Sequence, residues 1–113
     1  MITQKAQAES GIAALNESAF DDLIRSSIEP VLVEFASPGG SNVQAPHTLE
    51  FVESVVHGFA KVARVHFAEQ PALAARFDVN YETFAFFKHG VVVSRHLAPV
   101  PASHLTAEAV ALA

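Results

Sequence analysis

The stretch GFAKVARVHFAEQPALAARF, residues 58–77, places structural signals in an order that is typical of an α/β domain. Gly58 supplies the left-handed residue with which helices commonly end. Residues 62–67 read as an interior strand, because they form a short apolar run rich in β-branched residues. Pro71 stands in the first-turn position that favours the start of a helix, which we expect to reach Phe77. This stretch therefore predicts strand–helix units packed around a sheet.

The chain upstream of this stretch adds a second buried strand and two helices. Residues 31–36, VLVEFA, are almost continuously apolar, which is typical of a parallel strand buried on both faces. The helix before them should end ahead of Pro30, and residues 12–15 are expected to form a short edge strand. A break rich in turn formers covers residues 37–42. The helix predicted after it has apolar residues on one side, namely Leu49, Val52, Val56 and Phe59.

A hairpin and a last helix follow downstream. Residues 83–87 and 91–95 flank Lys88, His89 and Gly90, which is the spacing of a β-hairpin with a tight turn. A C-terminal helix is expected from residue 101 or 103 to residue 112. The fold class is therefore α/β, with a central mixed β-sheet flanked by helices on both faces.

The 113 residues fit one domain. We assign residues 1–11 to a polar tail or frayed segment and residues 12–113 to the domain itself. Half of the residues are hydrophobic, which is enough to build a core and argues against a disordered chain.

Several short strings resemble the thioredoxin family in their order and spacing. Residues 62–65, VARV, resemble the family's Val-Ala-Lys-Leu strand, and residues 33–35, VEF, resemble its Val-Asp-Phe strand. Residues 86–90, FFKHG, are similar to its Leu-Phe-Lys-Asn-Gly hairpin, and Pro71 matches the proline that opens its third helix. The resemblance runs from about Leu15 to the C-terminus and implies a thioredoxin fold.

The chain departs from the family at the active site. Where thioredoxins carry Trp-Cys-Gly-Pro-Cys, this sequence offers Pro38, Gly39, Gly40, Ser41 and Asn42. Thiol–disulfide exchange begins with the attack of a thiolate on sulfur, and the chain contains no cysteine. We therefore expect a redox-inactive, thioredoxin-like protein that is not a dithiol–disulfide oxidoreductase.

The second departure concerns the cis-proline that thioredoxins place before a threonine. Here Glu82 precedes Thr83. We expect a trans bond between Tyr81 and Glu82, because a cis bond without proline costs about 2.5–4 kcal/mol. The loop at residues 38–42 and the segment from Tyr81 to Thr83 together form the predicted partner-binding face.

Glu34 interrupts a strand that is predicted to be buried. A buried carboxylate without a partner has a raised pKa and tends to stay neutral. The resemblance matches Glu34 with the family's buried acid and Arg64 with the lysine on the neighbouring strand. We therefore predict a buried ion pair between Glu34 and Arg64, with a structural role.

Two further interpretations of the polar residues are an enzyme site, which remains open, and a metal site, which is not expected. A small non-redox enzyme would use Ser41, His47 and Glu34, or Glu50 in a hydrolase-like arrangement with the first two. No oxyanion hole can be argued for it from the sequence. A specific metal site is not predicted, because the spacing of the histidines matches no common metal motif and we expect them to be dispersed. The histidines are His47, His57, His66, His89, His96 and His104.

The remaining function is recognition of a protein partner, as a chaperone, assembly factor or adaptor. Val43, Phe51, Val55 and Tyr81 would form an interaction patch if they are exposed together. A homodimer that serves as a structural subunit is the alternative. The net charge of −5 disfavours binding to nucleic acid or an anionic membrane. We expect no cofactor and a cytoplasmic location, since the N-terminus lacks the apolar region of a secretory signal.

Overall fold

A computed structural model describes residue 12, residues 14–37 and residues 48–113. None of its helices within these ranges is long and apolar enough to cross a membrane. The elements are α1 (Glu17–Ser26), β1 (Val31–Ala36), α2 (Thr48–Val56), β2 (Lys61–His66), α3 (Pro71–Arg76), β3 (Thr83–Lys88), β4 (Val91–Leu97) and α4 (Ala102–Leu112).

The four strands form one mixed sheet in the order β2-β1-β3-β4. β1 runs parallel to β2 and antiparallel to β3, and β4 pairs antiparallel with β3. All six residues of β1 are buried, as its apolar sequence predicts for a central strand. The α/β class and the mixed sheet expected from the sequence are therefore confirmed.

The N-terminal edge strand predicted for residues 12–15 is reduced, in its described part, to contacts at one position of β2. Ala14 forms an isolated parallel bridge with Arg64. The backbone N–H of Leu15 donates to the carbonyl oxygen of Arg64 at 2.8 Å.

Two hydrophobic cores lie on opposite faces of the sheet. The core against α1 and α3 is aromatic: the ring of Phe20 meets that of Phe87 at 5.5 Å, and the ring of Phe77 meets that of Phe87 at 5.4 Å, both edge to face. Pairs in this geometry add about 0.5–1.5 kcal/mol beyond the burial of their surface. The other core joins the sheet to α2 and α4 through Leu49, Val52, Val56, Phe84, Phe86 and Leu105.

The hairpin between β3 and β4 contains two features that control side-chain direction. His89 and Gly90 both have positive φ angles, 54° and 83°, which is the conformation of a type I′ turn. Further along, Phe87 pairs with Val92 whereas Phe86 pairs with Ser94, so one extra residue of β4 stands between these pairs. This β-bulge reverses the face to which the rest of β4 points.

Candidate functional site

The structure brings Glu34 and Arg64 into direct contact. Glu34 lies on β1 and Arg64 lies opposite it on β2, in the parallel register Glu34↔Arg64. The Nε of Arg64 donates to Oε1 of Glu34 at 2.8 Å. Both side chains are largely buried, with exposed fractions of 16% for Arg64 and 10% for Glu34.

Glu50 is a second partner of Arg64 that sequence reasoning did not assign. It lies in the first turn of α2. The Nη1 and Nη2 atoms of Arg64 donate to its two carboxylate oxygens at 3.0 and 3.3 Å. Arg64 therefore joins β1, β2 and α2, and its planar group makes the forked contact for which arginine is suited. The signal was its place beside Leu49, on a helix expected to pack over the sheet.

The two carboxylates that bind Arg64, together with the charge of Glu82, set the electrostatics of this cluster. Burial raises the pKa of Glu34 above its ordinary value, although Arg64 acts in the opposite direction. The negative charges of Glu50 and Glu82 raise the pKa of Glu34 further. Burial alone would lower the pKa of Arg64, but its hydrogen bonds and charge contacts with Glu50 and Glu34 raise it on balance.

Residues 81–83 lie at the same end of the sheet as this cluster. Thr83 pairs with Phe35 near the carboxyl end of β1, and the charge of Glu82 acts on Glu34. Thr83 itself is buried, and its hydroxyl donates to the carbonyl of Tyr81 at 2.7 Å, so it supports the turn from within. Tyr81 is 54% exposed.

Two apolar side chains on α2 are also exposed to solvent. Phe51 is 56% exposed and Val55 is 44% exposed. They are four residues apart on one helix and therefore lie on the same side of it. Phe51 follows Glu50 directly near the start of α2, and Tyr81 lies just before β3. We call Phe51, Val55, Tyr81 and Glu82 the recognition face.

Several residues that the sequence analysis singled out lie outside the described residues. They are Pro38, Gly39, Gly40, Ser41, Asn42, Val43 and His47. The described chain ends at Ser37, just after β1, and resumes at Thr48, the first residue of α2.

The comparisons with known proteins agree with this architecture. No protein-family model matches the chain. The chain is 30% identical over 91 residues to thioredoxin Y2, chloroplastic, of Arabidopsis thaliana, which covers 78% of this chain and 54% of that protein. It thus spans about half the length of this curated relative.

A comparison with solved structures tests the fold directly. It is a chain from a study of the thiol-resolving mechanism in yeast mitochondrial 1-Cys peroxiredoxin via glutathione/thioredoxin systems. The two share 17% identity and a TM-score of 0.76, over 89% of this chain and 95% of that one. This chain therefore has a thioredoxin-like fold.

The thioredoxin-like chain differs from the thioredoxin pattern at the peptide bond that precedes Glu82, the residue in the place of the cis-proline. Among the described residues, the cis peptide bond is Ala98–Pro99, so the bond between Tyr81 and Glu82 is trans. The N–H of Ala98 donates to the carbonyl oxygen of Glu82 at 2.9 Å. One backbone acceptor of the recognition face is therefore already occupied from within the chain.

The expectation that the histidines of this thioredoxin-like chain are dispersed is wrong for two of them. The rings of His96 on β4 and His104 on α4 meet with centroids 4.9 Å apart, and both approach Glu108. The β-bulge is the reason. Val92 packs into the core against α1 and α3, and strict alternation would have sent His96 to that face. The extra residue turns His96 towards α4 instead.

The other described histidines have separate surroundings. His57 lies 3.7 Å from Glu53, one helical turn before it, and His66 lies 3.5 Å from Glu69. His89 lies in the turn of the hairpin.

Proposed function

We propose that this thioredoxin-like chain is a redox-inactive module that recognises a polypeptide partner, in the role of a chaperone, assembly factor or adaptor. The absence of any cysteine removes the thiolate on which dithiol exchange depends. Recognition is the property of the scaffold that does not need sulfur.

The exposed apolar side chains of the recognition face carry this proposal. Phe51, Val55 and Tyr81 are each between 44% and 56% exposed. Large apolar side chains that are exposed together mark interaction surfaces, and aromatic residues supply much of the binding energy at such surfaces. The preferred partner segment is apolar, and the net charge of −5 favours segments that are not acidic.

The buried cluster beneath the face supports the same function. Arg64 binds Glu34 and Glu50 from two different elements, and this fixes the start of α2 against the sheet. A rigid face loses little conformational freedom when a partner binds, which favours affinity. Of the residues named for the enzyme alternative, Glu34 is not a free base, because its carboxylate is held by Arg64.

The test is the binding of the full chain to an array of immobilised peptides that differ in apolar content and charge. We expect retention on apolar peptides, and Phe51→Lys should weaken it by about tenfold, the effect of losing about 1.4 kcal/mol of binding energy. The matched control is Ile28→Lys. Ile28 is 79% exposed and precedes β1, at the opposite end of that strand.

Equal losses in the two variants, or no retention of the unmodified chain, would contradict the proposal. Sedimentation of both variants separates partner recognition from the homodimer alternative. A dimer that Phe51→Lys dissociates would assign the face to self-association.

A further inference from the structure

A second polar cluster lies between β4 and α4, outside the recognition face. Nε2 of His96 lies 2.6 Å from Oε1 of Glu108, and Nε2 of His104 lies 3.9 Å from the same oxygen. The hydroxyl of Ser94 donates to the other carboxylate oxygen, Oε2. We call His96, His104 and Glu108 the histidine cluster.

The sequence builds this cluster from two local patterns. His104 and Glu108 are four residues apart on α4 and therefore lie on the same side of that helix. Ser94 and His96 alternate along β4 after the bulge and both face α4. The ligand atoms come from two packed elements, so the fold itself holds them together.

The geometry is that of a metal-binding set. One ligand atom from each of the three side chains lies within 4.8 Å of the other two. A tetrahedral ion with bonds of about 2.0–2.1 Å separates its ligand atoms by about 3.3 Å. Small side-chain rotations would bring His96 and Glu108 slightly apart and His104 slightly closer to meet this spacing.

The donor types select the class of metal. Two imidazoles and one carboxylate suit Zn²⁺ and its neighbours among the divalent transition metals, and disfavour Ca²⁺ and Mg²⁺, which prefer oxygen ligands. Ser94 orients the carboxylate of Glu108 from behind, as the outer hydrogen bonds of protein metal sites do.

The site would also remain open to solvent. The exposed side-chain fractions are 28% for His96, 22% for Glu108 and 54% for His104. We propose that His96, His104 and Glu108 bind one divalent transition metal ion of the Zn²⁺ type, with water in the fourth position. That position could accept a side chain of a partner, so the site offers a second contact that is independent of the recognition face.

Calorimetric titration of the metal-stripped, tag-free chain with ZnCl₂ tests this proposal. We expect one ion to bind per chain, and His104→Ala and His96→Ala should each weaken binding by at least about tenfold, since even outer-sphere partners contribute that much. His57→Ala is the matched control, because His57 also stands one turn from a glutamate on a helix but lies away from the histidine cluster. It should bind as the unmodified chain does.

Two further measurements keep the result unambiguous. Thermal unfolding without metal checks that the variants fold, and His104 is exposed enough for its removal to be tolerated. The visible spectrum of the Co²⁺-loaded chain should have the strong absorption of a four-coordinate ion, and His104→Ala should lose it. Absence of one-to-one binding, or equal weakening by His57→Ala and His104→Ala, would overturn the proposal.

Discussion

Two carboxylate-centred clusters lie on the same face of the sheet, and they differ in the cation that each carboxylate meets. At the cluster around Glu34 of the inner strand β1, which we call the central cluster, Glu34 and Glu50 meet Arg64 of the neighbouring strand β2, and this arginine is charged at every physiological pH. At the outer strand β4, Glu108 meets two imidazoles, those of His96 and His104.

The difference follows from burial. A charge at the centre of the sheet has little water around it, so a partner that could lose its own charge would leave it stranded. At the edge, water can replace a lost partner, and imidazoles are tolerated there. The central cluster is therefore suited to fixing the structure, whereas the edge cluster remains open to solvent.

The largest expected effect comes from removing the central cation. Arg64→Met should lower the free energy of unfolding at pH 7 by about 3 kcal/mol, because it leaves two buried carboxylates without their partner. Urea unfolding measures the change. Arg25→Met is the control, since Arg25 pairs with Asp22 in full solvent and its loss should change the free energy by less than about 0.5 kcal/mol. Similar losses for the two variants would show that the buried ion pairs of Arg64 contribute no more to stability than an exposed ion pair.

A smaller effect, of opposite sign, is expected for Glu34→Gln. Burial raises the pKa of Glu34, so the folded state holds this proton more tightly than the unfolded state. Its contribution to stability is therefore lost as the pH rises through the folded pKa. Glutamine stays neutral and avoids this loss, and Arg64 keeps Glu50 as a partner. We expect the variant to gain on the order of 1 kcal/mol relative to the unmodified chain between pH 4 and pH 8.

Asp21→Asn provides the comparison for this pH series. The hydrogen bond from Arg76 lowers the pKa of Asp21, so its contribution is present at neutral pH and lost on acidification. The difference between variant and unmodified chain should therefore run in the opposite direction with pH. Urea unfolding at several pH values measures both, and parallel slopes would contradict the pKa direction assigned to Glu34.

The smallest expected effect concerns the edge cluster without metal. His104→Ala should change the free energy of unfolding by less than about 0.5 kcal/mol in metal-free buffer, because exposed ion pairs contribute little. Thermal or urea unfolding after chelator treatment measures it. A loss comparable to that of Arg64→Met would show that the histidine cluster is a structural centre as well.

The contact between Glu34 and Arg64 was predicted from the resemblance to thioredoxins, which matches these residues with a buried acid and with a lysine on the neighbouring strand. Both residues interrupt apolar runs, and a parallel pairing of those runs sets them side by side. The contact between Glu50 and Arg64 could not be predicted in the same way. Its contact depends on how α2 is rotated over the sheet, and apolar periodicity gives this rotation only to within one helical face.

The sequence does not indicate the contact between His96 and His104, for a different reason. A bulge adds one residue and inverts the alternation of every residue after it. The three consecutive valines, Val91 to Val93, carry no contrast between polar and apolar residues that would locate the inversion. The hairpin itself was predictable, because Gly90 marks its turn.

The β-bulge has a consequence for association between molecules. β4 is the last strand of the described sheet, and outer strands with apolar side chains are the usual templates for fibril-like stacking. Val91 and Leu97, near its two ends, are 60% and 65% exposed. The bulge between them interrupts the regular spacing of backbone donors and acceptors along β4. A strand of another molecule therefore pairs less easily along the whole length of β4. Such an irregularity disfavours edge-to-edge pairing of strands between molecules.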